Sequence, residues 1–152
     1  MAYNAAEARQ QLLDTVAEAI DALSIAIAAL GAAYEELDEH TGDQLEAELF
    51  RPVQGAYGRA QRTASGFAQR HGLRARAPAP QAPPRSSAGV KALVETAVDA
   101  VAEADGLLSN LQDSMLPVEV GDPELRAGLS EVRTQLGHVR ARAREVVRIF
   151  GR

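Results

Sequence analysis

The chain has 152 residues, of which 46% are hydrophobic and only 4% aromatic, so it is predicted to form a single domain with an aliphatic, alanine-rich core. The formal net charge of −5 excludes nucleic-acid binding through overall charge, and the absence of cysteine excludes disulfides and thiolate metal sites. Residues 1–7 lack the basic region of a signal peptide. The longest uncharged helical stretch, 22–34, is shorter than the roughly 20 residues of a membrane span. We therefore expect a soluble, cytoplasmic protein without a transmembrane segment.

The first predicted helix covers residues 4–40. Its apolar residues recur at alternating steps of three and four: Leu13, Val16, Ile20, Leu23, Ile27, Leu30, Tyr34 and Leu37. This spacing is typical of a helix that packs nearly parallel or antiparallel to its partners. Asn4 followed by Glu7 resembles a capping box at the start of the helix. Gly42 is expected to lie in the connection that follows.

The second predicted helix covers residues 43–71, with Asp43 as its N-cap. Pro52 has no backbone N–H and is expected to bend the helix near Glu48. Three glycines lower the helical propensity: Gly55, Gly58 and Gly66. They indicate either close packing against the first helix or a soft, mobile helix. Gly72 is expected to end the helix in a left-handed conformation.

Residues 73–86 form a predicted linker, because this segment contains four prolines and should be extended and solvated. Two further periodic helices are predicted over residues 87–116 and 122–150. The short connections around Gly42 and Gly121 predict that helices one and two, and helices three and four, form antiparallel hairpins.

These elements predict an all-α fold, an antiparallel four-helix bundle made of two helical hairpins joined by the Pro-rich linker. The linker is long enough for either an adjacent or a diagonal connection, so the handedness of the bundle stays open. Six residues represent the expected core: Ile20, Leu23, Ile27, Leu108, Leu136 and Val139.

Catalytic and metal-binding patterns are missing from the sequence. It contains no Glu-x-x-His pair of the kind that holds iron in helical bundles, no Gly-x-Ser-x-Gly elbow and no Gly-rich phosphate loop. Glu36 and His40 are one helical turn apart, but a solvated helix end explains the same spacing. No catalytic residue, metal or cofactor is therefore predicted.

One spacing resembles a known motif. Arg133 and His138 are separated by four residues, and this R-x4-H pattern resembles the nuclease motif of HEPN-type helical domains. The resemblance covers these two residues and the all-helical architecture, and it implies RNA cleavage. The position after the arginine is often polar in that family, and here it is Thr134, which matches the motif poorly. On one continuous helix the two side chains point about 140° apart, so their convergence requires a break at Gly137.

Charge is unevenly distributed along the chain. Residues 35–48 contain acidic residues and no Lys or Arg, whereas residues 50–94 contain basic residues and no Asp or Glu. If the helices alternate in direction, the bundle has an acidic end and a basic end. The candidate polyanion-binding residues of the basic end are Arg70, Arg74, Arg76, Arg140, Arg144 and Arg148. Either this end binds nucleic acid, acidic lipid or an acidic protein tail, or the charges serve solubility and the helix dipoles.

The first helix is also uncharged all round between Asp21 and Glu35, where a surface helix should be polar on one face. Four residues form a small, apolar stripe behind its core-facing seam: Ala22, Ile25, Ala29 and Ala32. We expect this stripe to be a dimer face, and burial by the protein's own linker is the competing explanation.

The functional prediction is a non-enzymatic helical-bundle scaffold or protein-interaction module. Its expected partner is a second copy of the chain or another helical protein. The alternative is a nucleic-acid-binding or HEPN-like nucleolytic helical domain that uses the basic end of the bundle.

Overall fold

The protein is all-α over residues 4–77 and 89–150, the ranges that the computed structural model describes, and no strand occurs within them. The predicted all-α class is confirmed. The helices in chain order are α1 (Ala5–Glu35), α2 (Glu39–Leu45), a π-helical turn (Glu46–Phe50), α3 (Arg51–His71), α4 (Gly89–Asp113), α5 (Leu116–Glu119) and α6 (Pro123–Phe150). Most of the predicted linker, residues 78–86, lies outside the described ranges.

The first helix is shorter than predicted. Asn4 caps its N-terminus as expected, but α1 ends at Glu35 because Asp38 begins a new helix. The Asp38 side chain accepts hydrogen bonds from the backbone N–H and the hydroxyl of Thr41, at 2.8 and 2.9 Å. The same hydrogen bonds lower the pKa of the Asp38 carboxyl. Gly42, predicted to lie in the connection, is instead a buried residue inside α2.

The second predicted helix is divided into α2, the π-helical turn and α3. The cause is Pro52, which has no N–H to offer the carbonyl of Glu48. The backbone widens into a π turn, in which the N–H of Arg51 donates to the carbonyl of Glu46. The end of α3 is as predicted, since Gly72 has a positive φ of 65° and closes the helix in a left-handed conformation.

The third predicted helix, 87–116, also ends early. α4 stops at Asp113 because Pro117 has no N–H with which to bond the Asp113 carbonyl. The chain reverses through Met115, a non-glycine residue with a positive φ of 68°, and then forms the short helix α5. Asp122 caps α6 as expected, accepting a hydrogen bond of 2.8 Å from the backbone N–H of residue 125.

The buried side chains of α1, α3, α4 and α6 form one aliphatic core. α1 packs most extensively against α4 and also contacts α3, while α6 contacts both α3 and α4. Five predicted core residues are confirmed as buried: Ile20, Leu23, Leu108, Leu136 and Val139. The sixth, Ile27, is partly buried and packs against the same core.

Three ion pairs show the relative direction of α3 and α6. They are Glu48–Arg142, Arg59–Glu131 and Arg70–Asp122. As the chain advances along the π turn and α3, each partner lies further back along α6. The two helices are therefore antiparallel, and the C-terminal end of α3 lies beside the N-terminal end of α6.

The glycines of α3 do not pack against α1, so the expected close packing at these positions is wrong. An added Cβ would meet either Gln135 of α6 or an arginine of α3 itself at three positions: Gly55, Gly58 and Gly66. The close glycine contact is elsewhere. A Cβ on Gly128 of α6 would overlap Oγ1 of Thr63 and lie 2.7 Å from its Cγ2, so α3 and α6 approach closely there.

α1 is long and apolar enough, by length and composition, to cross a membrane, and it is the one such helix among the described residues. More than half of its most apolar window is buried inside the protein. A core helix has the same length and composition, so this property does not distinguish the two settings.

Candidate functional site

The charged side chains of α6 point in different directions, and one group lies against α4. Asp105 of α4 is only 6% exposed. Arg133 donates from Nε to its Oδ1 at 3.0 Å, and Arg140 donates from Nη1 to its Oδ2 at 2.9 Å. Arg133 also donates from Nη1 to Oε1 of Gln112 at 3.0 Å. The buried carboxylate is thereby hydrogen-bonded and neutralised, and it joins α4 to α6.

A second charged group joins α3 to the start of α6. Arg70 donates two hydrogen bonds to the Asp122 carboxylate, at 2.8 and 2.9 Å, and one of its nitrogens lies 2.8 Å from Glu124. Nε2 of His71 lies 2.9 Å from Oδ2 of Asp122. The Arg70 guanidinium holds the pKa of the Asp122 carboxyl well below its usual range, and that carboxyl raises the pKa of Arg70.

The structure does not bring the nuclease-like pair together. Arg133 is held against α4 by Asp105 and Gln112, whereas His138 lines an open groove of about 580 Å³ on another side of α6. Gly137 lies within the continuous helix α6 and does not break it. The two side chains therefore diverge, as the helical spacing requires.

The groove beside His138 lies between the π turn and α6. Its wall contains the ion pair between Glu48 and Arg142 together with Pro52 and Gln135. Because Glu48 is neutralised by Arg142, the groove does not present an unpaired acid beside the imidazole. Among the described residues, no group of three His, Asp or Glu side chains is arranged to hold a metal ion.

The six arginines predicted to form one basic end are not gathered there. Arg70 pairs with Asp122 at the N-terminal end of α6, while Arg144 and Arg148 lie in its last turns, roughly 33 to 39 Å away at helical rise. Arg76 donates to Asp21 of α1 at 2.7 Å, and this contact raises the pKa of Arg76. If successive helices alternate in direction, the second and fourth predicted helices run the same way and their C-terminal ends meet. The prediction fails because α3 and α6, which correspond to these two helices, are antiparallel to each other.

The same arrangement mixes the two signs of charge at each end. Glu48, from the acidic stretch, contacts Arg142 near the C-terminal end of α6. At the opposite end Arg70 contacts Asp122 and Glu124. The expected division into an acidic end and a basic end is therefore wrong for these segments.

The predicted dimer stripe on α1 is not one accessible face. Ala22 is 4% exposed and Ala29 is fully buried, both within the core of the chain itself. Ile25 and Ala32 are partly buried and also pack against that core. Arg76 lies on Asp21, one turn before Ile25, so the first residues of the linker run onto this side of α1, in line with the competing explanation.

A charged surface that the sequence reasoning missed lies on α4 and α6. We define the acidic stripe as Glu95, Asp99 and Glu103 of α4, and the basic stripe as Arg140, Arg144 and Arg148 of α6. All six residues are exposed. Each stripe repeats every four residues, so each follows one side of its helix. The four-residue spacing of the acids in residues 95–103 is visible in the sequence. That it faces a basic stripe is known only from the packing of α4 against α6.

Between the two stripes runs a shallow groove of about 520 Å³, which we call the α4–α6 groove. It is lined by Val98, Ala102, Gly137, Arg140, Ala141 and Arg144. Its floor is therefore made of small or apolar side chains. Within the described ranges no ion pair involves four of the six stripe residues: Asp99, Glu103, Arg144 and Arg148.

Comparison with known proteins adds no second line of evidence. No family model matches the chain, and no curated protein or solved structure is significantly similar to it. The function is therefore inferred from the residues and geometry of this chain alone.

Proposed function

We propose that the chain is a non-enzymatic protein-interaction module that associates with a second copy of itself. The observation that carries this proposal is the contrast between charged groups that join helices and exposed charged groups that form no ion pair. Asp105 and Asp122 are occupied in joining helices, while four exposed residues that form no ion pair in the described ranges lie together on the outer sides of α4 and α6: Asp99, Glu103, Arg144 and Arg148. Side chains of this kind are suited to meeting another protein surface.

The architecture proposed with this function is a single-domain antiparallel four-helix bundle of two helical hairpins. It is supported by the shared core of the four long helices and by the antiparallel ion pairs of α3 and α6. α3 ends and α4 begins at opposite ends of α6, since Arg70 contacts Asp122 and Gln112 contacts Arg133. A cytoplasmic location remains part of the proposal.

Light scattering on the wild-type protein tests self-association. Between about 1 and 100 µM, the range in which weak dimers assemble, the mass should rise from 16.1 kDa toward twice that value. A mass that stays at 16.1 kDa over the whole range contradicts the proposal.

A second candidate function is polyanion binding by the basic stripe. It is favoured by one observation, that Arg144 and Arg148 are exposed and have no carboxylate partner among the described residues. Binding to RNA or heparin should then weaken steeply with salt and be lost when Arg140, Arg144 and Arg148 are replaced by Gln. Absence of binding at low ionic strength removes this candidate.

A further inference from the structure

We infer that the α4–α6 groove is a dimer face, on which the acidic stripe of each copy lies against the basic stripe of the other. This inference rests on the proposed function, because it names the surface through which self-association occurs. The occupant is a second copy of the chain, and charge complementarity is the reason.

Three hydrogen bonds limit the register of α4 and α6. Asp105 accepts from Arg140 at 2.9 Å, and Gln112 accepts from Arg133 at 3.0 Å. A step of seven residues forward along α4 therefore corresponds to seven residues back along α6. Arg133 also donates to Asp105 at 3.0 Å, so Asp105 lies between the levels of Arg133 and Arg140. The level of Asp99, six residues back along α4, then lies between residues 139 and 146 of α6. This range includes Arg144, which lines the same groove as Val98, the neighbour of Asp99.

The stripes match along their whole length. Because both repeat every four residues and run in opposite directions, placing Asp99 level with Arg144 also pairs Glu103 with Arg140 and Glu95 with Arg148. Within one copy the groove separates them, and the acids are not bonded to these arginines. Glu95 instead lies 3.9 Å from Lys91 of its own helix.

A two-fold axis parallel to α4 and α6, running along the groove, brings the stripes of two copies together. This operation places α4 of one copy over α6 of the other without changing the level of any residue. Asp99 then faces the partner's Arg144, and Arg144 faces the partner's Asp99. The contact is isologous and closed, as in most homodimers.

The floor of the groove permits a close approach. Ala102, Gly137 and Ala141 are small, and Val98 adds an apolar contact. α4 has 25 residues, so two adjacent helices about 9 Å apart give a face roughly 37 Å long and 20 Å wide. Such a face buries about 1,500 Å² in total over both copies, within the range of specific protein interfaces.

The charges predict how strong the dimer is. The stripe residues are exposed and the floor has few large apolar side chains, so we expect a dissociation constant in the micromolar range, about 1 to 100 µM. Raising the NaCl concentration from about 0.05 to 0.5 M should weaken the dimer, because exposed charges are screened at high salt.

Charge reversal tests the face. Asp99→Arg alone should place like charges opposite each other twice in the homodimer, and so should Arg144→Glu alone. Each variant should bind to itself at least about tenfold more weakly than the wild type. An equimolar mixture of the two variants should dimerise again, because every contact in the mixed dimer is then between opposite charges.

The matched control is Arg62→Glu, the same change of charge at an exposed position of α3 outside the groove. It should dimerise like the wild type, and circular dichroism should show that all variants keep their helix content. Sedimentation velocity or light scattering measures the mass in each case.

The outcomes separate this inference from the proposed function. Wild-type protein that dimerises while both reversed variants also dimerise overturns the α4–α6 face and leaves self-association standing. If the two reversed variants are monomeric separately and remain monomeric when mixed, the α4–α6 face is also overturned. Wild-type protein that is monomeric at 0.05 M NaCl, up to about 100 µM, overturns both. If that monomer binds heparin through the basic stripe, this surface is a polyanion-binding site instead of a dimer face.

Discussion

The contact between α1 and α4 differs in chemistry from the contact between α3 and α6. Along α1 the buried residues are aliphatic, with alanines at close intervals between leucines. Three ion pairs follow one another between α6 and the segment formed by the π turn and α3. Gly128 of α6 also lies against Thr63 of α3. Burial of apolar surface stabilises the first contact. Exposed ion pairs add little free energy, so in the second contact they chiefly favour one register and one direction.

The largest expected effect is on the aliphatic side of this comparison. Leu23 of α1 is fully buried, and Leu23→Ala should lower the free energy of unfolding by about 2–5 kcal/mol, because it removes buried methyl groups and leaves a cavity. Urea titration measures the change. In contrast, Glu131→Gln, which breaks an exposed ion pair with Arg59, should cost less than about 1 kcal/mol. Equal losses in the two variants would contradict the distinction.

The close approach of α3 and α6 gives the next largest effect. Gly128→Ala should destabilise the protein by about 1–3 kcal/mol through overpacking, since the new Cβ overlaps Thr63. Thr63→Ala removes the two nearest side-chain atoms, so the double variant should recover part of the loss. Thermal unfolding of the four proteins gives the coupling energy, and strict additivity would show that the two residues do not clash.

The ion pair at the end of α3 should be visible in the pH dependence of stability. The pKa of the Asp122 carboxyl is lowered from its ordinary value of 3.8, so its charge stabilises the folded state at neutral pH. That contribution is lost as the pH falls below about 4, where the unfolded chain binds the proton first. Asp122→Asn keeps a good helix cap and should cost about 1 kcal/mol at pH 7.

At about pH 3 the difference between Asp122→Asn and wild type should have shrunk. Denaturant titrations of both proteins at several pH values measure it. A difference that is the same at neutral and acidic pH would mean that the charge of Asp122 does not contribute.

The smallest effect has the opposite sign. Gly106 of α4 is exposed, and a Cβ added there meets no atom within 4 Å. Gly106→Ala should therefore raise the free energy of unfolding by about 0.5–1 kcal/mol, because alanine has the higher helix propensity. The same substitution thus stabilises at Gly106 and destabilises at Gly128. Destabilisation by Gly106→Ala would mean that an unseen neighbour occupies this side of α4.

Periodicity was sufficient to predict the helices and most of the core. Residues such as Leu23 and Leu136 follow the steps of three and four that a packed helix requires, and both are buried. The caps at Asp122 and Gly72 were also predictable, because a helix cap depends on residues that are near neighbours in sequence. The cap at Asp38 does not follow from the pattern, because Gly42 also indicates a helix end; in the structure the capping side chain outweighs the glycine, which lies inside α2.

The arrangement of charges was not predictable from spacing along the chain. Whether Arg70 lies beside Asp122 or beside Arg148 depends on the path of a linker whose length permits several connections. Ala22 and Ala29 were placed on a free face because alanine is equally suited to a surface and to a closely packed core. The acidic stripe can be interpreted only from its level relative to Arg144, which follows from the hydrogen bonds between α4 and α6.

The packing of α1 against α4 has a consequence for the order of events in folding. About 50 residues separate the end of α1 from the start of α4, so its most extensive contact requires closing a long loop. Helical proteins usually fold fast because their contacts are local. We expect this chain to fold more slowly than a bundle whose neighbouring helices are also neighbours in sequence. During synthesis on the ribosome, the part of the apolar side of α1 that packs against α4 would stay uncovered until α4 has been made.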